Sequence, residues 1–114
     1  MTSAAREARL WYWQRVSAMV LALCVLVHLA TIVYAVRGGL TGAEILARTR
    51  GSWLFGGFYL VFLAACAVHV PIGLAAILEE WLGVRRPAAR FVAALFAALL
   101  VGVGLAALEG VVLG

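Results

Sequence analysis

Residues 16–36, VSAMVLALCVLVHLATIVYAV, decide the fold, because this apolar run contains no charged side chain. Its 21 residues are enough to span a bilayer, since roughly 20 helical residues cross a hydrocarbon core of about 30 Å. Residues 53–78 and 91–113 form two further long apolar runs. All three are continuous and rich in Leu and Ala, without the strict alternation typical of membrane-spanning strands. We therefore predict an all-α membrane protein with three transmembrane helices.

The composition of the whole chain agrees with this prediction. Of its 114 residues, 67% are apolar and 12% are charged, whereas a soluble domain is about half apolar and a quarter charged. A soluble domain this small cannot hide so much apolar surface. The composition thus excludes a soluble enzyme, a disulfide scaffold and a disordered segment. The length allows one domain, residues 1–114, and the first span exceeds a signal-peptide core, so we expect it to be retained.

The arginines predict the orientation. The chain has nine Arg and five Glu, with no Lys or Asp. Six arginines lie before span one or between spans two and three: Arg6, Arg9, Arg15, Arg85, Arg86 and Arg90. The other three lie between spans one and two, so the positive-inside rule predicts a cytoplasmic N-terminus. The arginines are scattered in short polar segments, which argues against a nucleic-acid partner and leaves membrane lipid as the surroundings.

Short links join the spans. Residues 37–52 are rich in Gly, and within them the polar segment 44–48 predicts a short surface helix. Residues 79–90 contain Gly83 and Pro87, which indicate a turn. Cys24 and Cys66 lie inside apolar runs, so we interpret them as small apolar residues rather than a disulfide.

Span three carries no candidate ligand. Small residues recur there at every fourth position: Ala98, Gly102, Ala106 and Gly110. This pattern predicts a stripe for close helix packing.

The two histidines of the chain, His28 and His69, both lie within spans. His28 follows Arg15 by 13 residues and His69 precedes Glu79 by ten, which is about 19 Å and about 15 Å of helix from the predicted cytoplasmic ends. Because spans one and two run in opposite directions, we expect the two imidazoles at similar depth. Ionisable groups inside a bilayer are usually functional, and neutral imidazole is an axial ligand of haem iron. Both residues are therefore candidate haem ligands, and inter-helix hydrogen bonding is the alternative.

His69 has surroundings suited to a flat macrocycle. Ala65 and Gly73 lie four residues on either side of it, so they share its helix face and predict a shallow trough beside the ring. Pro71 cannot donate a hydrogen bond to the Ala67 carbonyl, which predicts a kink next to the ligand.

Polar side chains cluster at the predicted cytoplasmic ends of spans one and two. They are Trp11, Trp13, Gln14, Arg15, Ser17, Glu79, Glu80 and Trp81. Anchoring at the membrane interface explains the tryptophans and a snorkelling arginine. The functional alternative is a quinone pocket, in which Arg15, Ser17 and an indole N–H donate to the quinone carbonyls and Glu80 relays protons. Arg15 is also suited to pairing with a haem propionate.

Two motifs give the chain a family resemblance. The family is that of the haem-b membrane anchors of succinate dehydrogenase and fumarate reductase, which belong to respiratory complex II. In that family the first helix starts with the pattern Arg-Val/Ala-Ser/Thr, which residues 14–17 (QRVS) resemble. Residues 69–74 (HVPIGL) and 77–81 (ILEEW) resemble that family's His, its Gly four residues later, and its acidic–aromatic pair at the helix end.

The resemblance implies a role for each matching residue. His69 would be the axial ligand of haem b, and Arg15 would lie near the quinone and the propionates. Glu80 and Trp81 occupy the places of an Asp-Tyr pair at the quinone site, with an indole N–H replacing the Tyr hydroxyl. Ser17 is a further quinone candidate. His28 has a counterpart only in anchors that hold two haems.

The resemblance also implies partners and a location. A flavoprotein and an iron–sulfur subunit would dock on the cytoplasmic face, and a second anchor subunit or a second copy of this chain would complete the membrane part. The chain would then be a non-catalytic subunit that passes electrons to ubiquinone or menaquinone. The expected location is the bacterial inner membrane rather than the mitochondrial one.

Two other functions compete with this hypothesis. One is a small membrane b-type cytochrome that serves a different electron-transfer complex. The other is a structural or transport subunit without haem, such as a small multidrug transporter; those have four spans and a buried Glu in the first, unlike this chain.

Overall fold

The computed structural model describes residues 2–114, which form an all-α protein without strands in that range. The helices are α1 (Ser3–Arg37), α2 (Gly42–Thr49), α3 (Trp53–Leu82) and α4 (Arg86–Leu108), and a π-helical turn (Glu109–Leu113) continues α4. α1, α3 and α4 with its π-helical turn are long and apolar enough to cross a membrane. The predicted fold class and the short helix between the first two spans are confirmed.

Local sequence signals define the helix ends. Thr2, Thr41 and Ser52 cap the N-termini of α1, α2 and α3, each with a side-chain oxygen that accepts a backbone N–H of the first turn. Gly83 ends α3 in the left-handed conformation, with φ 65°. α1 begins thirteen residues before the predicted apolar span, because its polar first turns form helix without being apolar. α3 continues as helix through Pro71.

α3 lies between α1 and α4 and packs against both. On α1, Gln14 and Ser17 contact Gly73 and His69 of α3. Further along α1, His28 contacts Tyr59. The residue number falls along α3 as it rises along α1, so the two helices are antiparallel.

The same reasoning makes α4 antiparallel to α3. Arg86 at the start of α4 pairs with Glu79, and Gly104 lies against the Leu63 side chain. The start of α1, the end of α3 and the start of α4 therefore lie at one end of the bundle. We call this the arginine-rich end; it is defined by Arg6, Arg86 and Arg90.

The face of α4 that packs is different from the predicted one. Ala89 and Ala93 are almost fully buried, whereas the predicted stripe of small residues is exposed. A Cβ built on Gly102 or Gly110 of that stripe meets nothing within 4 Å. The prediction of a packed stripe is wrong within this chain, because a different set of small residues, Ala89, Ala93 and Gly104, lies on the face of α4 that contacts the rest of the bundle.

Hydrogen bonds join α2 to the C-terminal turn at the opposite end. The Thr49 hydroxyl donates to the Val111 carbonyl at 2.9 Å, and the Gly51 N–H donates to the Val112 carbonyl at 2.6 Å. Most large apolar side chains along the three long helices stay exposed, among them Leu54 and Phe91. Lipid or other membrane helices would cover such surfaces.

Candidate functional site

His69 and Ser17 contact each other across the interface of α3 and α1. The Ser17 Oγ lies 3.3 Å from the His69 Nδ1, and Ser17 is one of the few buried polar residues, with 4% of its surface exposed. The same hydroxyl donates to the Gln14 carbonyl at 3.1 Å, within its own helix. Two residues that the sequence placed in separate haem and quinone sites thus belong to one site.

This arrangement selects a tautomer of His69. A serine hydroxyl has one proton, which it gives to Gln14, so it accepts from Nδ1–H of the imidazole. With the proton on Nδ1, the lone pair lies on Nε2, and the hydrogen bonds found among residues 2–114 include none to that nitrogen. Metal-binding histidines characteristically have one ring N–H held in this way. The structure therefore shows the inter-helix hydrogen bond that was the alternative interpretation.

The predicted trough beside His69 is filled by α1. Ala65 is buried, with 7% of its surface exposed. A Cβ on Gly73 would lie 3.0 Å from the Gln14 amide nitrogen. The small residues flanking His69 thus allow α1 to approach α3 on the face where the trough was predicted.

His28 lies in an aromatic cluster. Its ring packs edge-on against Tyr59 and Phe62 of α3, with both centroid distances 5.8 Å. Its Nδ1 is buried and has no hydrogen-bond partner among residues 2–114. These surroundings suit an imidazole that is packed as an aromatic ring, and within residues 2–114 no hydrogen bond to Nδ1 orients it.

The expected equal depth of the two histidines is wrong. His69 lies level with Ser17, and His28 follows Ser17 by eleven residues, which is about 16 Å at 1.5 Å per residue. The error arises from the reference points, because Glu79 lies level with Arg6 and Glu7, not with Arg15. Within this chain the two imidazoles therefore lie at different levels of the bundle and do not face each other.

The donor set can be compared with what haem requires. Residues 2–114 hold no group of three or more His, Cys, Asp or Glu side chains that could bind a bare metal ion. A haem brings four nitrogens of its own and needs only axial ligands from protein. His69, held by Ser17 on one ring nitrogen, is the residue of this chain that fits such a role.

A separate cavity of about 830 Å³ opens at the arginine-rich end. Its floor is the last turns of α3, and its two walls are the first turns of α1 and of α4. It exists because α1 and α4 both pack against α3 and diverge from each other. Apolar side chains line it deeper in, and charged ones surround its mouth: Arg6, Glu7, Glu79, Glu80, Arg86 and Arg90.

The predicted quinone residues do not all reach this cavity. Glu80 lines it, together with Trp11. Arg15 is exposed, and its guanidinium lies 5.3 Å from the centroid of the Trp11 ring. Trp81 is 81% exposed and is not part of the lining. Ser17 lines a smaller, almost wholly apolar cavity of about 250 Å³.

Gln14 is the residue that sequence reasoning undervalued. It lines the large cavity, and its Oε1 is buried without a hydrogen-bond partner among residues 2–114. Nearby, the Arg86 Nε donates to the Glu79 Oε1 at 3.0 Å and joins the start of the α4 wall to the α3 floor. An amide two residues before an apolar span was a visible signal, although its burial depends on how α1 and α3 pack.

Comparison with known proteins adds no further constraint to this geometry. No family model, no curated protein and no solved structure matches this chain.

Proposed function

We propose that this chain is a haem-b membrane anchor of a succinate dehydrogenase or fumarate reductase, and that it helps to transfer electrons to ubiquinone or menaquinone. The proposal rests on the motif resemblance around His69 and on three apolar helices of spanning length. In it, the chain lies in the bacterial inner membrane with its arginine-rich end toward the cytoplasm. A flavoprotein and an iron–sulfur subunit dock at that end.

The hydrogen bond between Ser17 and His69 carries this proposal. Burying a histidine between membrane helices is costly unless its polar atoms are satisfied or used. Ser17 satisfies Nδ1 and leaves Nε2 free, which is the arrangement that an axial ligand requires.

Each residue then has a distinct task. A bound haem supplies a one-electron redox centre. His69 would hold that haem through Nε2, and Ser17 would hold the imidazole in one orientation. Arg15, exposed on α1 two residues before Ser17, would be available to a propionate. Glu80, at the mouth of the large cavity, exchanges protons with water.

His28 has a different place in the proposal. Because it lies about 16 Å along α1 from the level of His69, it does not share an iron with His69 of the same chain. The second axial ligand comes from a second anchor subunit or from a second copy of this chain. Ligation by His28 then requires a second haem, as in the two-haem anchors.

The decisive experiment is the absorption spectrum of the complex purified with this chain. Dithionite-reduced bands of haem b that disappear in His69→Ala support the proposal. Thr31→Val is the matched control, since that hydroxyl donates to a carbonyl of its own helix at 2.6 Å. A wild-type complex without b-type bands, or His69→Ala with unchanged bands, overturns the assignment.

Co-purification distinguishes the proposal from a small b-type cytochrome of another complex. A flavoprotein and an iron–sulfur subunit bound to the chain, with succinate-dependent reduction of its haem, support the complex II assignment. Haem b without those partners favours the other cytochrome.

A further inference from the structure

We propose that the large cavity at the arginine-rich end binds the quinone headgroup and that Gln14 is its main hydrogen-bonding residue. This inference rests on the proposed function, which makes a quinone the electron acceptor. It differs from the prediction made from sequence, in which Ser17 and Trp81 contacted the quinone. Those two side chains lie outside the cavity lining, and Gln14 lies within it.

The first argument is the unpaired amide of Gln14. Its Oε1 is buried at the wall of the cavity without a partner among the described residues. Buried polar atoms are almost always hydrogen-bonded in folded proteins. A ligand hydroxyl in the cavity provides the missing donor, and the hydroxyls of a quinol are such donors.

The second argument is that an amide serves both redox states of the ligand. Its oxygen accepts from a quinol hydroxyl, and its NH₂ group donates to a quinone carbonyl. Gly73 favours this position of the amide, because a Cβ on that residue would lie 3.0 Å from the Gln14 Nε2 and would push the amide aside. The glycine thus keeps room for the amide beside α3.

The third argument is the distribution of polarity in the cavity. Ile72, Ala75 and Ala76 of α3 provide an apolar floor, and Trp11 of α1 adds an indole ring. The volume of about 830 Å³ lies in the range of about 300–1,000 Å³ that is usual for ligand pockets. The opening between α1 and α4 lets an isoprenoid tail extend into the membrane.

The charges at the mouth provide the proton route. Reduction of a quinone to a quinol takes up two electrons and two protons. The electrons come from the iron–sulfur subunit of the proposed complex, and the protons come from water. Glu80 is exposed at the mouth and is free of ion pairs among residues 2–114. Its carboxylate can therefore pass protons inward.

The charge balance argues against an anionic lipid headgroup as the occupant. The lining has three arginines and three glutamates, so it offers a lipid phosphate no net positive field. One of those arginines, Arg86, is already paired with Glu79. A lipid phosphate also provides no proton donor for the Gln14 oxygen.

Photolabelling tests this inference in native membranes that contain the full chain. A short-chain quinone with a photoreactive azide on its headgroup is irradiated, and the labelled residues are mapped by mass spectrometry. We expect label on cavity residues of α1 and α3, about five- to tenfold less of it in Gln14→Leu, and loss of label with excess quinol. Gly73→Ala, which displaces the amide but keeps it, is expected to weaken labelling as well. Thr31→Val is the matched control for loss of a polar group and is expected to label normally.

Several outcomes overturn the inference. They are absence of label from the chain, label confined to other residues, undiminished label in Gln14→Leu, and label displaced by phosphatidylglycerol but not by quinol. Labelling needs neither haem nor succinate, so it remains readable if the proposed function fails. If the complex reduces quinone through its haem but the label lies elsewhere, this inference is refuted and the proposed function is not.

Discussion

The Ser17 hydroxyl lies 3.3 Å from the His69 Nδ1, across the interface between the first and second membrane-spanning helices. It is the polar contact between α1 and α3 that orients the imidazole, and it fixes which part of α1 lies level with His69. The expected behaviour of the haem, of His28 and of the large cavity follows from this register.

Ser17→Ala removes the acceptor that holds Nδ1–H of His69. Losing such a second partner of a metal ligand typically costs about 10- to 100-fold in metal affinity or activity. We therefore expect haem b to dissociate at least about tenfold more readily, as measured by transfer to apomyoglobin. Ser17→Thr keeps the hydroxyl and is expected to retain haem. Equal haem retention in Ser17→Ala and the wild type would contradict the proposed role of Ser17.

His28→Phe keeps an aromatic ring against Tyr59 and Phe62 and removes a buried nitrogen that lacks a partner. An unsatisfied buried polar group typically costs about 1–3 kcal/mol, so we expect the variant to be at least as stable as the wild type. The haem bound by His69 is expected to stay, because His28 is too far along α1 to share its iron. The measurements are thermal unfolding and haem content. Loss of half of the haem would instead reveal a second haem at His28.

Gly104→Ala and Gly102→Ala compare the two faces of α4. A Cβ on Gly104 would clash with the Leu63 side chain of α3, whereas a Cβ on Gly102 meets nothing within 4 Å. Overpacking typically costs about 1–3 kcal/mol. The end of the Leu63 side chain can rotate away from the added Cβ, so we expect a cost near the lower value. Both variants gain the same helix propensity, so we expect Gly104→Ala to be about 1 kcal/mol less stable than Gly102→Ala. Unfolding in mixed detergent measures this, and the reverse order would refute the packing of α4 on α3.

Thr49→Val breaks the hydrogen bond to the Val111 carbonyl that joins α2 to the C-terminal turn. We expect a loss of about 1 kcal/mol and faster amide exchange over the residues around Val111. Thr31→Val is the control, since its hydroxyl bonds within its own helix. Unchanged exchange at the C-terminus would show that this contact does not hold the turn.

Single cysteines test the orientation in a background that lacks Cys24 and Cys66. Exposed Ala8 and Ala88 lie near the arginine-rich end, whereas exposed Gly42 begins α2 at the other end. We expect an impermeant maleimide to label Ala8→Cys and Ala88→Cys from the cytoplasmic side and Gly42→Cys from the opposite side. Labelling of all three from one side would refute the three-span topology, and the mirror-image pattern would refute the cytoplasmic N-terminus.

The sequence by itself determined the local features. Three apolar runs predicted the spanning helices, and the polar segment within residues 37–52 predicted α2, because helix formation and its caps depend on neighbouring residues. It also identified His69 and Ser17 as functional candidates. It did not show that they touch, since each was judged from its own span.

Only the tertiary structure decided how the helices align. α1 and α3 are apolar on almost every side, so hydrophobic pattern alone does not specify their register. Packing set it through Gly73, which admits the Gln14 amide, and through Ser17, which meets His69. That register placed the two histidines at different depths. It brought α1 against the face of α3 on which the trough beside His69 was predicted. It also buried the Gln14 amide beside a cavity that several helices form together.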